Sequence, residues 1–477
     1  MEQSATPVIL SHPRLGLCRR ERVEGMSWII RVDGEDCLRR VPVSRLSEFS
    51  VVASEEPTAA ATTRQEPEEP PVAKTTSDKI RAKRMFESMR TGLPPASGDL
   101  RRLAVGVESL DSEVARLLDE VSVHGAVRII RGGYGHGKSV SLRLLEEDAL
   151  GKGFLVARTE IDASENQLNK PHHVYRDLMH HLRIPNCQEQ GALGLARLLS
   201  PIIYERRHED TSATQTRRWL EQRIECSPLA WLLSDTRILE KPELTGILAG
   251  DPNTPVQAAR RAHILQGTAQ DWPHFTAGTQ GDFASYVISG LGKLARLLGY
   301  QGVLVVIDEM EKWQDLNWRQ QTQAGNLIGG LIWAATGKEG NRFRGSYRRP
   351  NPSQPDALTH SLRSQGFPFT TDTPCHLGLV IAMTPRGTEG PEELWGQFGP
   401  VEIFDLPTFT PAHLLAYLSG VAGDYRATYD LPSPDIAALG KKAINAWMAR
   451  GDGSARSAVQ SVIEALDVWR ASRDQPS

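Results

Sequence analysis

The run Gly132-Gly133-Tyr134-Gly135-His136-Gly137-Lys138-Ser139 satisfies G-x-x-x-x-G-K-[ST], the spacing of a phosphate-binding loop. Each residue type has a task there. Glycines let the backbone curl its N–H groups around phosphate oxygens, and a helix starting at the loop's end turns its positive pole toward them. Lys138 would neutralise the β- and γ-phosphates of ATP, and the Ser139 hydroxyl would bind Mg2+. The expected nucleotide-binding set is thus Gly132, Gly133, Tyr134, Gly135, His136, Gly137, Lys138, Ser139 and Val140.

Such a loop needs an acid across the sheet. Val303-Leu304-Val305-Val306-Ile307-Asp308-Glu309 offers two at the end of an apolar run. Asp308 would hold the Mg2+ water shell, and Glu309 would orient and partly deprotonate the attacking water. An acid pair beside a phosphate loop suits water better than a substrate hydroxyl, which argues against a kinase. The next apolar run, Leu377–Met383, ends at Thr384-Pro385-Arg386, where Thr384 could reach the γ-phosphate or its water. Arg386 reads as a surface arginine, with a place in this site or across to a neighbouring subunit as the alternative.

These groups require strands that end together. Val127–Ile130, Gly153–Arg158, Gly302–Ile307, Leu377–Met383 and Val401–Leu406 read as short strands, with helices at Asp78–Arg90, Leu110–Val121, Leu142–Leu150 and Val174–Leu182 between or before them. Strands alternating with helices predict an α/β fold of the P-loop NTPase type, a parallel sheet flanked by helices. The interval from Lys138 to Asp308 exceeds what a minimal core needs, so residues 185–298, mainly helical in pattern, read as an insertion. In the tail, Ser454 is a plausible helix N-cap, followed by an apolar stripe of Val459, Val462, Ile463 and Leu466.

Ahead of this lies a different composition. Residues 53–77 hold prolines and glutamates but no Leu, Ile or aromatic residue, and read as a disordered acidic linker. Before it, Gly16–Val23, Ser27–Val32 and Cys37–Val43 are β-rich, with Asp33-Gly34 as a tight turn, which suggests a small SH3- or Tudor-like β-barrel. The expected organisation is a β-module at 1–52, a linker at 53–77, an ATPase core at 78–400 and a helical lid at 401–477.

Three segments resemble the ATP-binding proteins of BREX-type bacterial phage-resistance systems, within the AAA+/ORC-like branch of P-loop ATPases. They are RAKRMFESMRTGLPP (Arg81–Pro95), IRGGYGHGKSVSLRLLEEDAL (Ile130–Leu150) and VLVVIDEMEKW (Val303–Trp313). The resemblance spans about Asp78 to Arg470. It implies a Mg2+-dependent ATPase of an anti-phage cluster, working with a helicase or DNA-modifying partner. It also implies that Arg456, in Gly451-Asp452-Gly453-Ser454-Ala455-Arg456, is a lid arginine touching the nucleotide, and that Leu93-Pro94-Pro95 packs on the adenine.

Gly337–Pro355 carries Arg342, Arg344, Arg348 and Arg349 with Phe343 and Tyr347 interleaved, a pattern suited to DNA, with a plain surface insertion as the alternative. The whole chain, with 477 residues and a net charge of −3, neither demands nor forbids such a partner. Its 5 cysteines are scattered with no C-x-x-C pair, and no apolar run approaches the roughly 20 residues that cross a bilayer, so a cytoplasmic protein is expected. His172, His173, His180 and His181 lack the spacing of zinc ligands, and Arg217, Arg218 and Arg223 read as a solvated helix face. Two functional classes stand: an ATP hydrolase acting on DNA or a DNA-bound partner, which could assemble as a homo-oligomer, and a nucleotide-gated binding switch with little or no turnover. The intact Glu309 favours the first.

Overall fold

A computed structural model of the protein describes residues 9–12, 16–24, 27–32, 38–42, 50–51, 76–95, 97–208, 212–235, 237–251, 280–337, 374–385, 395–396 and 398–474. Arg386 and most of the acidic segment 53–77 lie outside these residues, as do Arg342, Arg344, Arg348 and Arg349. The chain divides into two units, Met1–Pro71 and Val72–Ser477.

In the first unit, β1 (Ile9–His12), β2 (Gly16–Glu24), β3 (Ser27–Val32), β4 (Leu38–Pro42) and β5 (Ser50–Val51) form an antiparallel sheet of order β4-β3-β2-β1-β5. The alternating stretch at Trp28–Val32 is a strand, paired with β2 on one side and β4 on the other.

The second unit opens with α1 (Thr76–Arg90), the short α2 (Ser97–Leu103) and α3 (Glu108–Val123). Then come β6 (Gly125–Arg131), α4 (Lys138–Gly151) and β7 (Leu155–Glu160). Five helices follow: α5 (Pro171–His180), α6 (Gly191–His208), α7 (Ala213–Ile224), α8 (Ser227–Leu233) and α9 (Pro242–Ala249). After α10 (Gln280–Leu297), β8 (Val303–Asp308) leads through a 3-10 turn at Met310–Asp315 into α11 (Trp318–Thr336). The sheet is completed by β9 (Leu377–Met383) and β10 (Glu402–Asp405), and α12 (Pro411–Tyr429), α13 (Ile436–Arg450) and α14 (Ala455–Asp474) end the chain.

The five core strands are parallel, in the order β10-β6-β9-β8-β7. Strands covered by helices on both faces must be apolar throughout, which is why β8 and β9 read as unbroken apolar runs. Alternate residues serve opposite faces. Val303, Val305 and Ile307 enter the larger core with α5, α10 and α11, while Leu304 and Val306 enter the core with α3 and α4. By the same alternation Asp308 lies on the α4 side. Because β9 stands between β6 and β8, the carboxyl ends of all three converge, which is where a parallel sheet places its ligand.

A third core joins α1 to the C-terminal helices. Phe86 and Met89 are fully buried with Leu414, Leu418, Tyr425, Val462, Ile463 and Leu466. Burying each such side chain stabilises by about 1.5–3 kcal/mol. Arg90 grips Asp467 through two hydrogen bonds of 2.7 Å, locking α1 to α14. Ser454 Oγ accepts the Ser457 N–H at 3.1 Å, so it does cap α14. Among the described residues no helix is long and apolar enough to cross a membrane.

Candidate functional site

The loop after β6 ends at Gly137, the N-cap of α4, whose φ of +94° only glycine adopts without strain. Among the described residues nothing outside its own stretch of chain lies within 4 Å of where its Cβ would sit, so the demand is conformational rather than steric. Gly135, at φ +75°, faces both demands, because a Cβ there would stand 3.1 Å from Ser454 Oγ and 3.2 Å from Arg456 Cβ. The start of α14 thus closes directly onto the loop, and the Arg456 N–H donates to the Gly135 carbonyl at 3.0 Å.

Lys138 Nζ is buried and donates to Gly132 O at 3.0 Å, Gly133 O at 3.4 Å and Thr384 Oγ1 at 2.7 Å. All three acceptors are uncharged. Among the described residues no carboxylate forms an ion pair with this ammonium, so its charge is left for an anion. Thr384 is held in turn by Glu311, whose Oε2 accepts the Thr384 N–H at 3.1 Å. One chain of hydrogen bonds therefore ties the loop, the tip of β9 and the turn after β8 together. Glu311 is buried and escapes sequence reasoning, although it is the third acid in Asp308-Glu309-Met310-Glu311.

Glu309 lines the same cleft as Lys138 and Ser139. Its φ of +60° is left-handed, a conformation costing a non-glycine residue on the order of 1 kcal/mol. That kink ends β8 and starts the 3-10 turn that returns Glu311 to β9. Burial raises the Glu309 pKa above the ordinary carboxylate value, the neighbouring Glu311, Asp308 and Glu160 carboxylates push it further, and Lys138 opposes them.

Asp308 sits deeper, 3% exposed. Its Oδ1 accepts the Glu309 N–H at 2.9 Å, and its Oδ2 accepts Arg158 Nη2 at 2.8 Å. Arg158 also donates to Glu146 Oε1 on α4 at 2.9 Å. Neither Arg158 nor Glu146 belongs to any motif in the sequence. The one available signal is a cation directly after the apolar run Leu155-Val156-Ala157 of β7.

The other end of the cleft is apolar. Leu93, Pro94 and Pro95 line it with Val105, Val107, Phe409 and Tyr417, a surface suited to one planar base. Over the loop, Arg456 Nη1 donates to the exposed Tyr134 hydroxyl at 2.6 Å, with the guanidinium 4.7 Å from that ring's centroid. Val140, His136 and Gly137 also line the cleft. Lys138, Ser139, Glu309 and Arg456 are thus brought to one cavity, with Thr384 bonded to Lys138 and Asp308 buried behind Glu309.

The donor chemistry fits Mg2+. Ser139 is exposed at the start of α4, and hard carboxylate oxygens stand at the end of β8. Among the described residues no group of three or more His, Cys, Asp or Glu side chains forms a metal cage. Mg2+ needs none, since it is usually held by one or two protein oxygens together with substrate phosphates.

No curated protein matches the chain. Residues 78–226, from α1 through the phosphate loop and β7 to the end of α7, match the family described as BREX system ATP-binding protein BrxC/D, so over this stretch the chain is similar to those proteins.

Proposed function

We propose that the protein is a Mg2+-dependent ATPase of a bacterial phage-resistance system of the BREX type, coupling ATP binding and hydrolysis to action on DNA or on a DNA-bound partner such as a helicase. The observation that carries this reading is the single cleft in which Lys138 and Arg456, cations without a carboxylate partner among the described residues, face a loop of backbone N–H groups and one carboxylate with a raised pKa. The family match over residues 78–226 supports the nucleotide and the defence setting.

The loop and the N-terminus of α4 bind the phosphates, Lys138 exchanges its carbonyl and Thr384 bonds for phosphate oxygens, and Arg456 closes from the lid side. Ser139 and Asp308 would hold Mg2+, which supplies charge neutralisation at the phosphates when bound. Glu309 accepts the proton of the attacking water, and Thr384, fixed by Glu311, orients that water or the terminal phosphate. The apolar end shaped by Leu93–Pro95 takes the adenine. Equilibrium binding of ATP to the full chain tests this assignment: submicromolar to micromolar binding is expected with Mg2+, and no binding would overturn it.

A base with a raised pKa is ionised only above that raised value. The kcat/KM for ATP should therefore fall on the acid side with a midpoint above the usual glutamate value of about 4.3. A pH–rate profile checks this, with the acid limb absent from the residual rate of Glu309→Gln.

The N-terminal antiparallel sheet is proposed to be a small SH3- or Tudor-like barrel that binds protein or nucleic acid, and the basic loop is proposed to meet DNA. Replacing Arg342, Arg344, Arg348 and Arg349 together by Gln should weaken duplex binding. It should also flatten the dependence of log K on log salt by about 0.9 for each phosphate the variant no longer neutralises, measured by a salt titration of DNA affinity.

A further inference from the structure

Asp308 is expected to serve a metal, yet both its oxygens already have partners. The placement of Arg158 explains how. Arg158 pairs in register with Val306, and Glu160 pairs with Asp308, so Arg158 and Asp308 are diagonal neighbours on one face of the sheet. That face is the one α4 covers, and α4 supplies Glu146 as the second anchor of the same guanidinium. Arg183 Nη1 lies 3.4 Å from the other Glu146 oxygen, which completes a network across α4, β7 and β8. Asp308 and Glu146 are nearly closed off, with side chains 4% and 7% exposed, while the Arg158 side chain keeps 23% of its surface. That surface opens on a second, polar cleft lined by Glu146, Glu160, Asn166 and Arg176. The guanidinium thus has space beside it, and a further carboxylate, Glu160, two residues along the same face of its own strand.

We infer that Arg158 is a positioning residue that competes with the divalent cation for Asp308, so that the Glu146–Arg158–Asp308 bridge sets how much Mg2+ the site demands. The inference rests on the nucleotide reading above. A buried carboxylate shared between a guanidinium and a metal gives up affinity for one as it holds the other. The planar fork of arginine lets it keep Glu146 while releasing Asp308, and Glu160 then offers a second acceptor on the strand it already occupies. Removing the guanidinium should favour the metal. Removing Glu146 should have the opposite sign, because Arg158 would then be left with Asp308 as its main anchor.

The test is retention of a fluorescent ATP analogue by the full chain at fixed concentration while MgCl2 is titrated from an EDTA baseline, a readout independent of turnover. A charge-assisted hydrogen bond such as Arg158–Asp308 is worth about a factor of ten in an equilibrium, so Arg158→Gln should lower the half-saturating Mg2+ concentration by about tenfold. Glu146→Gln should raise it by a few fold, and Arg158→Lys, which keeps the charge without the two-sided fork, should fall between the wild type and Arg158→Gln. A residue that only braced the fold would shift both glutamine variants the same way. Half-saturation at or above the wild-type value in Arg158→Gln, or shifts of one sign in both, would overturn the inference while leaving the nucleotide assignment standing. Failure of the wild type to retain the analogue with or without MgCl2 would instead remove the nucleotide reading, and this inference with it.

Discussion

Lys138→Ala should abolish productive ATP binding and turnover together. The ammonium is buried, anchored by Gly132 O, Gly133 O and Thr384 Oγ1, and outside any carboxylate ion pair among the described residues. A positive charge held in place before the ligand arrives costs no reorganisation when phosphate charge develops. Loss of one such preorganised donor typically lowers kcat by about 10²–10³. Under the proposed function the loss extends to affinity, because Lys138 would face the phosphates in the ground state as well. Calorimetric ATP binding and steady-state phosphate release should both collapse in this variant. The fold should persist, since among the described residues the Lys138 side chain bonds only two loop carbonyls and one hydroxyl. Wild-type affinity in Lys138→Ala would remove the loop from the mechanism.

Glu309→Gln should separate the two steps. The amide keeps the shape of the side chain and its left-handed backbone but cannot take a proton from water. General-base catalysis contributes about 10²–10⁴ in rate, so turnover should fall by that factor while ATP binding is retained or tightened. Stability should move in the opposite direction. The folded chain protonates Glu309 more readily than the unfolded chain does, so its ionised form weighs against the fold once pH exceeds the raised folded value. Glu309→Gln removes that repulsion among Glu309, Glu311 and Asp308, and the variant should melt above the wild type at neutral pH but not at acid pH. Thermal denaturation at two pH values checks the sign. A less stable variant at neutral pH would show that the Glu309 charge has a favourable partner after all.

What is legible in the sequence is whatever local spacing determines. The phosphate loop, the apolar run into Asp308-Glu309, the threonine at the tip of β9 and the Ser454 cap all announce themselves within a few residues. Element positions follow to within a few residues too: Leu377–Met383 is β9 end to end, and the helix expected to start at Leu142 begins at Lys138, because the loop's last glycine is itself the cap. The short α2 has no such signature. It is only seven residues long, and its Leu100 and Leu103 find their partners in other elements.

The remaining site residues are hidden because their partners are distant in sequence. Arg158 meets Asp308 across 150 positions, and Thr384 meets Glu311 across 73. The first pairing depends on β7 lying beside β8 and the second on β9 lying on the other side of β8, a strand order that periodicity does not encode. The lead-in Leu93-Pro94-Pro95 reaches the cleft for a similar reason. Phe86 and Met89 of α1 bury themselves among the C-terminal helices, so the segment before the core is carried to them. The resemblance to BREX ATP-binding proteins implies places for Arg456 and for this lead-in, and both line the cleft.

Hydrolysis of ATP in this cleft is what the proposed function requires. The most direct measurement is phosphate release from saturating Mg-ATP by the full chain, with and without duplex and single-stranded DNA, for the wild type, Lys138→Ala and Glu309→Gln. Turnover is expected of the wild type, none of Lys138→Ala, and a loss of about 10²–10⁴ in Glu309→Gln despite bound nucleotide. Hydrolysis surviving in both variants would contradict the site. A wild type that binds ATP but releases no phosphate under any condition would contradict the enzyme and leave a nucleotide-gated switch.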